Sequence, residues 1–294
     1  MKKKKINKKR VLILFLIIAI VIVVIIKLNK KSGGTKETET DEQITEQVSN
    51  DNTTNENQTE KDENLVLEQK LQTGKKLSED GLPVLMYHFF YDKSKDSGKD
   101  GNWIEISNFE EQMKYLAEND FYFPTWEQVE NYIDGKQELP EKSIVITVDD
   151  GDPSFFELAV PIIQKYKIPT TSFVITYWYG NRANDKQDYV SYQSHSYDMH
   201  KAGSNGKGVM LSWDYDKIKD DILLSRDVLG GANIFCYPFG QYNDLDIKVL
   251  KENGYRLAFT TKGGRVKKGS SKYELPRVRI SGNTGISEFK KKVE

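Results

Sequence analysis

Three regimes of hydrophobic and polar positions divide the chain. The first is an unbroken apolar run from Val11 to Ile26, preceded by Lys2 to Lys5, Lys8, Lys9 and Arg10 and followed by Lys27, Leu28, Lys30 and Lys31. A membrane-crossing helix needs about 20 residues, with a range starting near 17. Counted from Val11 to Leu28, with Lys27 snorkelling, the run reaches that length. The flanking positive charge favours a cytoplasmic N-terminus and places everything after residue 31 outside the cell. A cleaved signal peptide is the alternative, but no small-x-small site follows the run and no cysteine there would accept a lipid. The pattern predicts a basic cytoplasmic tail at 1–10 and a transmembrane signal anchor at 11–28.

The second regime, 29–76, is rich in Thr, Glu, Gln, Asn, Asp and Lys and has no aromatic residue. Such a segment buries too little apolar surface to offset its ordering entropy, so a disordered linker is expected. As a flexible chain it would span on the order of 35–40 Å, a reach suited to a wall or capsule.

The third regime, 77–294, alternates short β-rich runs with helix-period segments. Strands are predicted at Val84–Tyr87, Ser143–Val148, Thr171–Ile175, Tyr189–Ser194, Ile234–Tyr237, Leu257–Thr260 and Leu275–Ile280. Helices are predicted at Phe109–Glu118, Trp126–Ile133, Ser154–Tyr166, Trp213–Leu229 and Asp244–Asn253. Thr125 and Ser212 are candidate N-caps, and Gly254 stands where the last helix stops. Alternation of this kind argues for a parallel sheet, and seven units argue for its closure. The expected fold is α/β, a distorted (β/α)7-type barrel with an insertion at Tyr177–Asp188. In such a barrel chemistry sits at the C-terminal ends of the strands.

Composition changes this picture little. Lys plus Arg is 43 and Asp plus Glu is 44, a net charge of −1, so no nucleic-acid partner is expected. The single cysteine, Cys236, excludes an internal disulfide, which a domain of this size does not need for export.

The residues able to do chemistry follow strands. His88 directly follows the first predicted strand, Asp149 and Asp150 the second, His195 and His200 the fourth, and Pro238-Phe239-Gly240 the fifth. Singly, each has an ordinary explanation: Asp149-Asp150-Gly151 as a strand-ending turn, His88 as a hydrogen-bonded structural histidine. His195 and His200 are five apart and share no helix face, but from a loop they can converge on one ion. Together, one carboxylate and two imidazoles make the ligand set of a catalytic metal with an open position. The second carboxylate beside them can act as general base.

These residues resemble the polysaccharide deacetylase family, the NodB-homology domain of carbohydrate esterase family 4, over about residues 82–285. Thr147-Val148-Asp149-Asp150-Gly151 is similar to the family's Thr-Phe-Asp-Asp-Gly motif, which implies Asp149 as catalytic base and Asp150 as metal ligand. Ser194-His195-Ser196-Tyr197-Asp198-Met199-His200 resembles the second motif, which implies His195 and His200 as the other ligands. Most members space these histidines by four positions. The spacing of five here, and the strand ending in Tyr87-His88, are similar to the subgroup acting on poly-β-1,6-N-acetylglucosamine, the biofilm exopolysaccharide, in which the early histidine enters the active site. Two departures stand out. The third motif usually has an Arg before Pro-Pro-Tyr-Gly, and Phe235-Cys236-Tyr237-Pro238-Phe239-Gly240 has none; Arg277, in Leu275-Pro276-Arg277-Val278-Arg279, is the candidate replacement. The late histidine that serves many relatives as general acid is also absent, which leaves His88, a ligand histidine or water.

The resemblance implies a membrane-anchored N-deacetylase acting outside the cell on N-acetylglucosamine residues of peptidoglycan or of poly-β-1,6-N-acetylglucosamine. It implies a divalent metal, Zn²⁺ foremost, with Co²⁺, Ni²⁺ or Mn²⁺ as alternatives. Asp149 would accept a proton from the attacking water, the backbone N–H of Tyr237 would help hold the oxyanion, and His88 would protonate the leaving amine. Trp213 and Phe239 would cup the acetyl methyl or the sugar ring, unless they are ordinary core. The rival readings are an O-acetyl-polysaccharide esterase using the same site and an inactive wall-binding module. The module predicts loss of a ligand or the base, yet Asp149, Asp150, His195 and His200 are all present.

Overall fold

The structure, a computed structural model, describes residues 66–98 and 100–294. The predicted anchor at 11–28 and most of the predicted linker lie outside the described residues. Seven parallel strands close into a barrel in the order β1 (Val84–Tyr87), β4 (Val145–Val148), β5 (Thr170–Val174), β6 (Val190–Ser194), β7 (Ile234–Cys236), β8 (Leu257–Gly263) and β9 (Leu275–Arg279), with β9 pairing back to β1. Each predicted strand is present, most with an end moved by a residue or two. Ser143 and Ile144 fall outside β4 because they bridge to Tyr122 instead.

Burial explains why these runs are continuous rather than alternating in hydrophobicity. All four residues of β1 and all four of β4 are buried, as expected where one face looks into a barrel and the other onto helices. Alternate positions go to different places. Val84, Val145, Phe173, Cys236, Phe259 and Leu275 pack together inside the barrel. Leu85, Tyr87, Ile146 and Val148 pack outward against the helical layer. Trp126 meets the inner set, with its ring 5.2 Å from that of Phe259 and its indole N–H on Thr171 Oγ1 at 3.1 Å.

The helix Ile106–Glu118 buries Phe109, Met113 and Leu116, one stripe at helical spacing. Burial of each such side chain contributes about 1.5–3 kcal/mol. Trp126–Ile133 carries the predicted Thr125 cap as a full capping box with Gln128. The next helix begins as a π-helical stretch, Phe155–Ala159, before Val160–Tyr166. Pro161 lacks an N–H, so the regular ladder cannot pass through it.

Two expectations are corrected, and two further elements appear. Ser212 does not cap its helix, which runs Tyr215–Val228. Asp214 does, accepting the Lys217 N–H at 2.9 Å, while Ser212 closes the short turn Val209–Ser212. Residues 66–73 are helical and Leu67 is buried, so folded structure starts ahead of residue 77. A two-stranded parallel sheet, β2 (Phe89–Tyr91) with β3 (Trp103–Glu105), follows β1 directly, where three-residue runs leave no readable period. Finally, a helix at Ile286–Val293 buries Phe289 and Val293.

Candidate active site

The barrel register lines up the residues that follow its strands. Tyr87 pairs with Val148, Val174 with Ser194, and Ser194 with Phe235. His88, Asp149, His195 and Cys236 therefore come to one end of neighbouring strands. The ladder extends one residue past each strand: the Asp149 N–H donates to Tyr87 C=O at 2.9 Å and the His195 N–H to Val174 C=O at 3.0 Å.

Between the two aspartates the chain turns sharply. The Gly151 N–H donates back to Asp149 C=O at 3.0 Å, closing a three-residue γ-turn around Asp150, whose φ is +74°. A side chain at position 151 would bring a Cβ within 3.0 Å of Val174, so glycine there lets the turn lie against β5. The turn sends the two carboxylates in different directions. Such strain in a non-glycine residue is characteristic of functional sites.

Asp149 points into the barrel and meets Arg277. Nη1 donates to Oδ1 and Nη2 to Oδ2, each at 2.7 Å, a bidentate pair. The guanidinium also donates to Thr260 C=O through Nε at 3.0 Å and to Thr147 Oγ1 at 3.1 Å, and touches Cys236 Sγ at 3.1 Å. Arg277 is fully buried, and this candidate for the missing arginine reaches Asp149 from the opposite end of the domain sequence. Burial opposes ionisation of Asp149, but Arg277 outweighs it and holds the carboxyl well below the ordinary range. His88 Nε2 lies 3.7 Å from Asp149 Oδ2, and burial lowers the imidazole's pKa against the pull of the two aspartates.

Asp150 faces the other way. Its Oδ1 lies 3.4 Å from His195 Nε2 and 3.5 Å from His200 Nε2, and one ligand atom from each of the three residues lies within 4.8 Å of the others. Oδ1 is buried and has no hydrogen-bond partner. An orphaned carboxylate oxygen facing two imidazole nitrogens fits a divalent cation, because each atom offers a lone pair to the same space. His195 Nδ1 is held by Cys236 C=O at 2.7 Å, which turns Nε2 toward Asp150. Burial, then the nearby His195, push His200 down to about 4, so its imidazole is neutral. Burial also disfavours the His195 cation, but Cys236, Asp150 and Asp149 raise its pKa well above the ordinary value; a metal would take the place of that proton. Asp149, His195 and Cys236 also cluster, but both oxygens of Asp149 are taken and Arg277 adds a positive charge, so that group does not fit a cation.

The loop bearing both histidines is clamped from the helix Tyr215–Val228. Asp221, buried on that helix, accepts the Tyr197 N–H at 2.7 Å and the Asp198 N–H at 2.8 Å. Ser225 Oγ meets Ser194 Oγ at 2.8 Å. Asp221 is not among the residues the motifs single out, although an acid among Ile218, Ile222 and Ser225 on the buried face is its signal in the sequence.

The remaining predicted residues divide. The ring of Phe239 lies 4.2 Å from that of His200, partly exposed, on a left-handed backbone (φ +58°). Gly240 closes the turn with φ +68°; a Cβ there would stand 2.1 Å from Thr261 Oγ1. Pro238 is buried beneath it. The Tyr237 N–H donates to Phe259 C=O at 3.0 Å, so it is committed to the barrel ladder and is not free for an oxyanion, correcting that expectation. Trp213 packs with the cluster around Met199 and Met210, beneath Lys217 Nζ at 4.1 Å.

Comparison with known proteins adds to this geometry. Residues 136–258 match the family model described as polysaccharide deacetylase. A protein of Staphylococcus aureus (strain MRSA252) named poly-beta-1,6-N-acetyl-D-glucosamine N-deacetylase is 29% identical over 212 residues, covering 66% of this chain and 72% of the relative. The solved structure of IcaB from Ammonifex degensii is 26% identical with a TM-score of 0.60, over 70% of this chain and 94% of that one. Streptococcus pyogenes deacetylase PplD, solved in complex with acetate, shares the fold at a TM-score of 0.63 and 23% identity, over 75% of this chain and 99% of that one. With the motif residues assembled as described, residues 136–258 match the polysaccharide deacetylase family, and the barrel domain is similar to proteins named as N-deacetylases.

Proposed function

We propose that this protein is a hydrolase of carbon–nitrogen bonds, a metal-dependent N-deacetylase that removes acetyl groups from N-acetylglucosamine residues of an extracellular polysaccharide. The observation that carries this is the division of labour at one strand end: an unsatisfied Asp150 facing two histidines, beside an Asp149 clamped by Arg277. Poly-β-1,6-N-acetylglucosamine is the favoured polymer over peptidoglycan, because relatives bearing that activity's name align over two thirds of their length. The N-terminal apolar run would anchor the enzyme in the membrane with this domain outside.

Asp150, His195 and His200 would hold the cation. When bound, a divalent metal, Zn²⁺ foremost, supplies Lewis-acid polarisation of the acetyl carbonyl and makes water more acidic. Asp149 accepts the proton from the attacking water. Because Arg277 keeps its carboxyl a strong acid, the proton does not stay there. His88 Nε2, 3.7 Å from Asp149 Oδ2, is the nearest group able to take it and pass it to the departing amine. Phe239, beside His200, would contact the acetyl group or the sugar ring.

The test is amine release by the full-length protein in detergent from β-1,6-linked N-acetylglucosamine oligomers, β-1,4-linked oligomers and peptidoglycan strands, with and without added metal. We expect metal-dependent release, fastest on the β-1,6 oligomers and abolished in Asp149→Asn. Acetate released only from O-acetylated sugars would make the protein an esterase. No release from any substrate despite metal binding would make it an inactive binding module.

A further inference from the structure

The insertion between β5 and β6 builds an aromatic ledge against the metal-ligand loop. It starts as a short helix, Thr176–Tyr179, and continues as a turn of 3-10 helix, Gly180–Asn184. Tyr177 and Trp178 are 58% and 50% exposed, unusual for rings of this size side by side. The Tyr197 ring meets that of Tyr177 edge-on, with centroids 5.5 Å apart. These three rings, with Asn181 and Asn184, line a cavity of about 580 Å³.

The ledge is tied to the candidate active site through the backbone. The Ile175 N–H donates to Asp150 C=O at 3.1 Å, the Thr176 N–H to Ser196 C=O at 3.1 Å, and the Tyr177 N–H to Tyr197 C=O at 3.0 Å. Ser196 and Tyr197 lie between the two histidines in the chain. Gly180 holds the ledge close to the helix Tyr215–Val228, since a Cβ there would stand 2.6 Å from Val228 Cγ1. The rings are thus set on a rigid frame within a few residues of Asp150 and the histidine loop.

The chemistry of the cavity selects its occupant. Its walls are the rings of Tyr177, Trp178 and Tyr197, the carboxamide residues Asn181 and Asn184, and Thr176, Gly180 and Val228, with no charged side chain. Ring faces suit the apolar C–H face of a pyranose, and carboxamides suit hydroxyl and acetamido groups. A carboxylate to pair with a glucosamine ammonium is missing from those walls. We propose that Tyr177, Trp178 and Tyr197, with Asn181 and Asn184, form a subsite for a neighbouring sugar of the polymer that is still N-acetylated. The inference rests on the deacetylase reading. It adds that the enzyme acts on residues flanked by acetylated neighbours, which leaves free amines scattered rather than in blocks.

The experiment compares full-length wild type, Trp178→Ala and Trp178→Phe. Calorimetry measures binding of a β-1,6-linked N-acetylglucosamine hexamer and of its fully deacetylated counterpart, and amine release is followed on the hexamer and the dimer. Trp178→Ala should weaken hexamer binding and raise KM for the hexamer, each roughly tenfold, with kcat and dimer turnover unchanged. Trp178→Phe should recover most of the loss, and the deacetylated hexamer should bind wild type and variants with equal weakness. Hexamer binding that is absent in wild type, or unchanged in Trp178→Ala, overturns the subsite. If the hexamer binds through Trp178 and no amine is released, the deacetylase reading fails while the subsite stands. If amine is released with an unaltered KM in Trp178→Ala, the subsite fails while the deacetylase reading stands.

Discussion

Asp149 and Asp150 leave the same strand one residue apart, yet the protein treats their carboxyl groups in opposite ways. Both oxygens of Asp149 are engaged by a fully buried guanidinium. Asp150 keeps a buried oxygen with no partner, facing two imidazoles. A saturated carboxylate is held in place with its charge compensated, whereas an unsaturated one retains a costly vacancy in its hydrogen bonding. Asp246 shows that the vacancy alone is not enough. Its Oδ1 is also buried and unpartnered, but Asp246 belongs to no candidate metal group among the described residues. The converging histidines separate a candidate ligand set from a merely buried acid.

The comparison breaks most severely at Arg277. Arg277→Met strands the Asp149 charge inside the barrel and should cost about 3–5 kcal/mol in urea unfolding, with near-complete loss of activity. Adding Asp149→Asn to that variant should restore part of the stability and none of the activity. Removing the other carboxylate should behave differently. Asp150→Asn is expected to leave the metal-free protein within about 1 kcal/mol of wild type, while Zn²⁺ at 100 times Kd, which stabilises wild type by about 2.7 kcal/mol, gives the variant nothing.

Asp221 sharpens the picture from behind the histidine loop. Its replacement by Ala leaves the half-buried Tyr197 and Asp198 N–H groups short of an acceptor, at about 1–2 kcal/mol in thermal or urea unfolding. Metal affinity should fall about 10-fold to 100-fold in the same variant, because the loop is no longer clamped.

The smallest effect is expected at Asp246, where burial pushes the carboxyl up to about 6 against a hydrogen bond from the Asn243 N–H. A raised acid means that between pH 3.8 and about 6 the folded state binds more protons than the unfolded state, so stability falls as pH rises through that window. Asp246→Asn should flatten that fall by about 1–2 kcal/mol when unfolding is measured at pH 4 and pH 7.

How much of this was legible in the sequence follows from what each feature depends on. The seven barrel strands were readable because buried parallel strands are short apolar runs bounded by turns, and strand order places His88, Asp149, Asp150 and His195 at one end. The partnership of Asp149 with Arg277, 128 positions away, rested on a motif departure rather than on any local pattern. The commitment of the Tyr237 N–H to Phe259 was hidden because it depends on which strand lies alongside β7. Asp221 was passed over because a helix acid ordinarily faces water, and only the packed loop shows that this one does not. The Tyr177–Asp188 insertion carried no periodicity, and its rings acquire meaning only from their ties to Asp150 and Tyr197.

The central claim is that Asp150 binds metal and Asp149 does not. Isothermal titration of Zn²⁺ into metal-free full-length wild type, Asp149→Asn and Asp150→Asn tests it most directly. The account predicts one high-affinity equivalent in wild type, the same stoichiometry and near-equal affinity in Asp149→Asn, and at least a 100-fold weaker site in Asp150→Asn. Binding that survives Asp150→Asn but is lost in Asp149→Asn would contradict it.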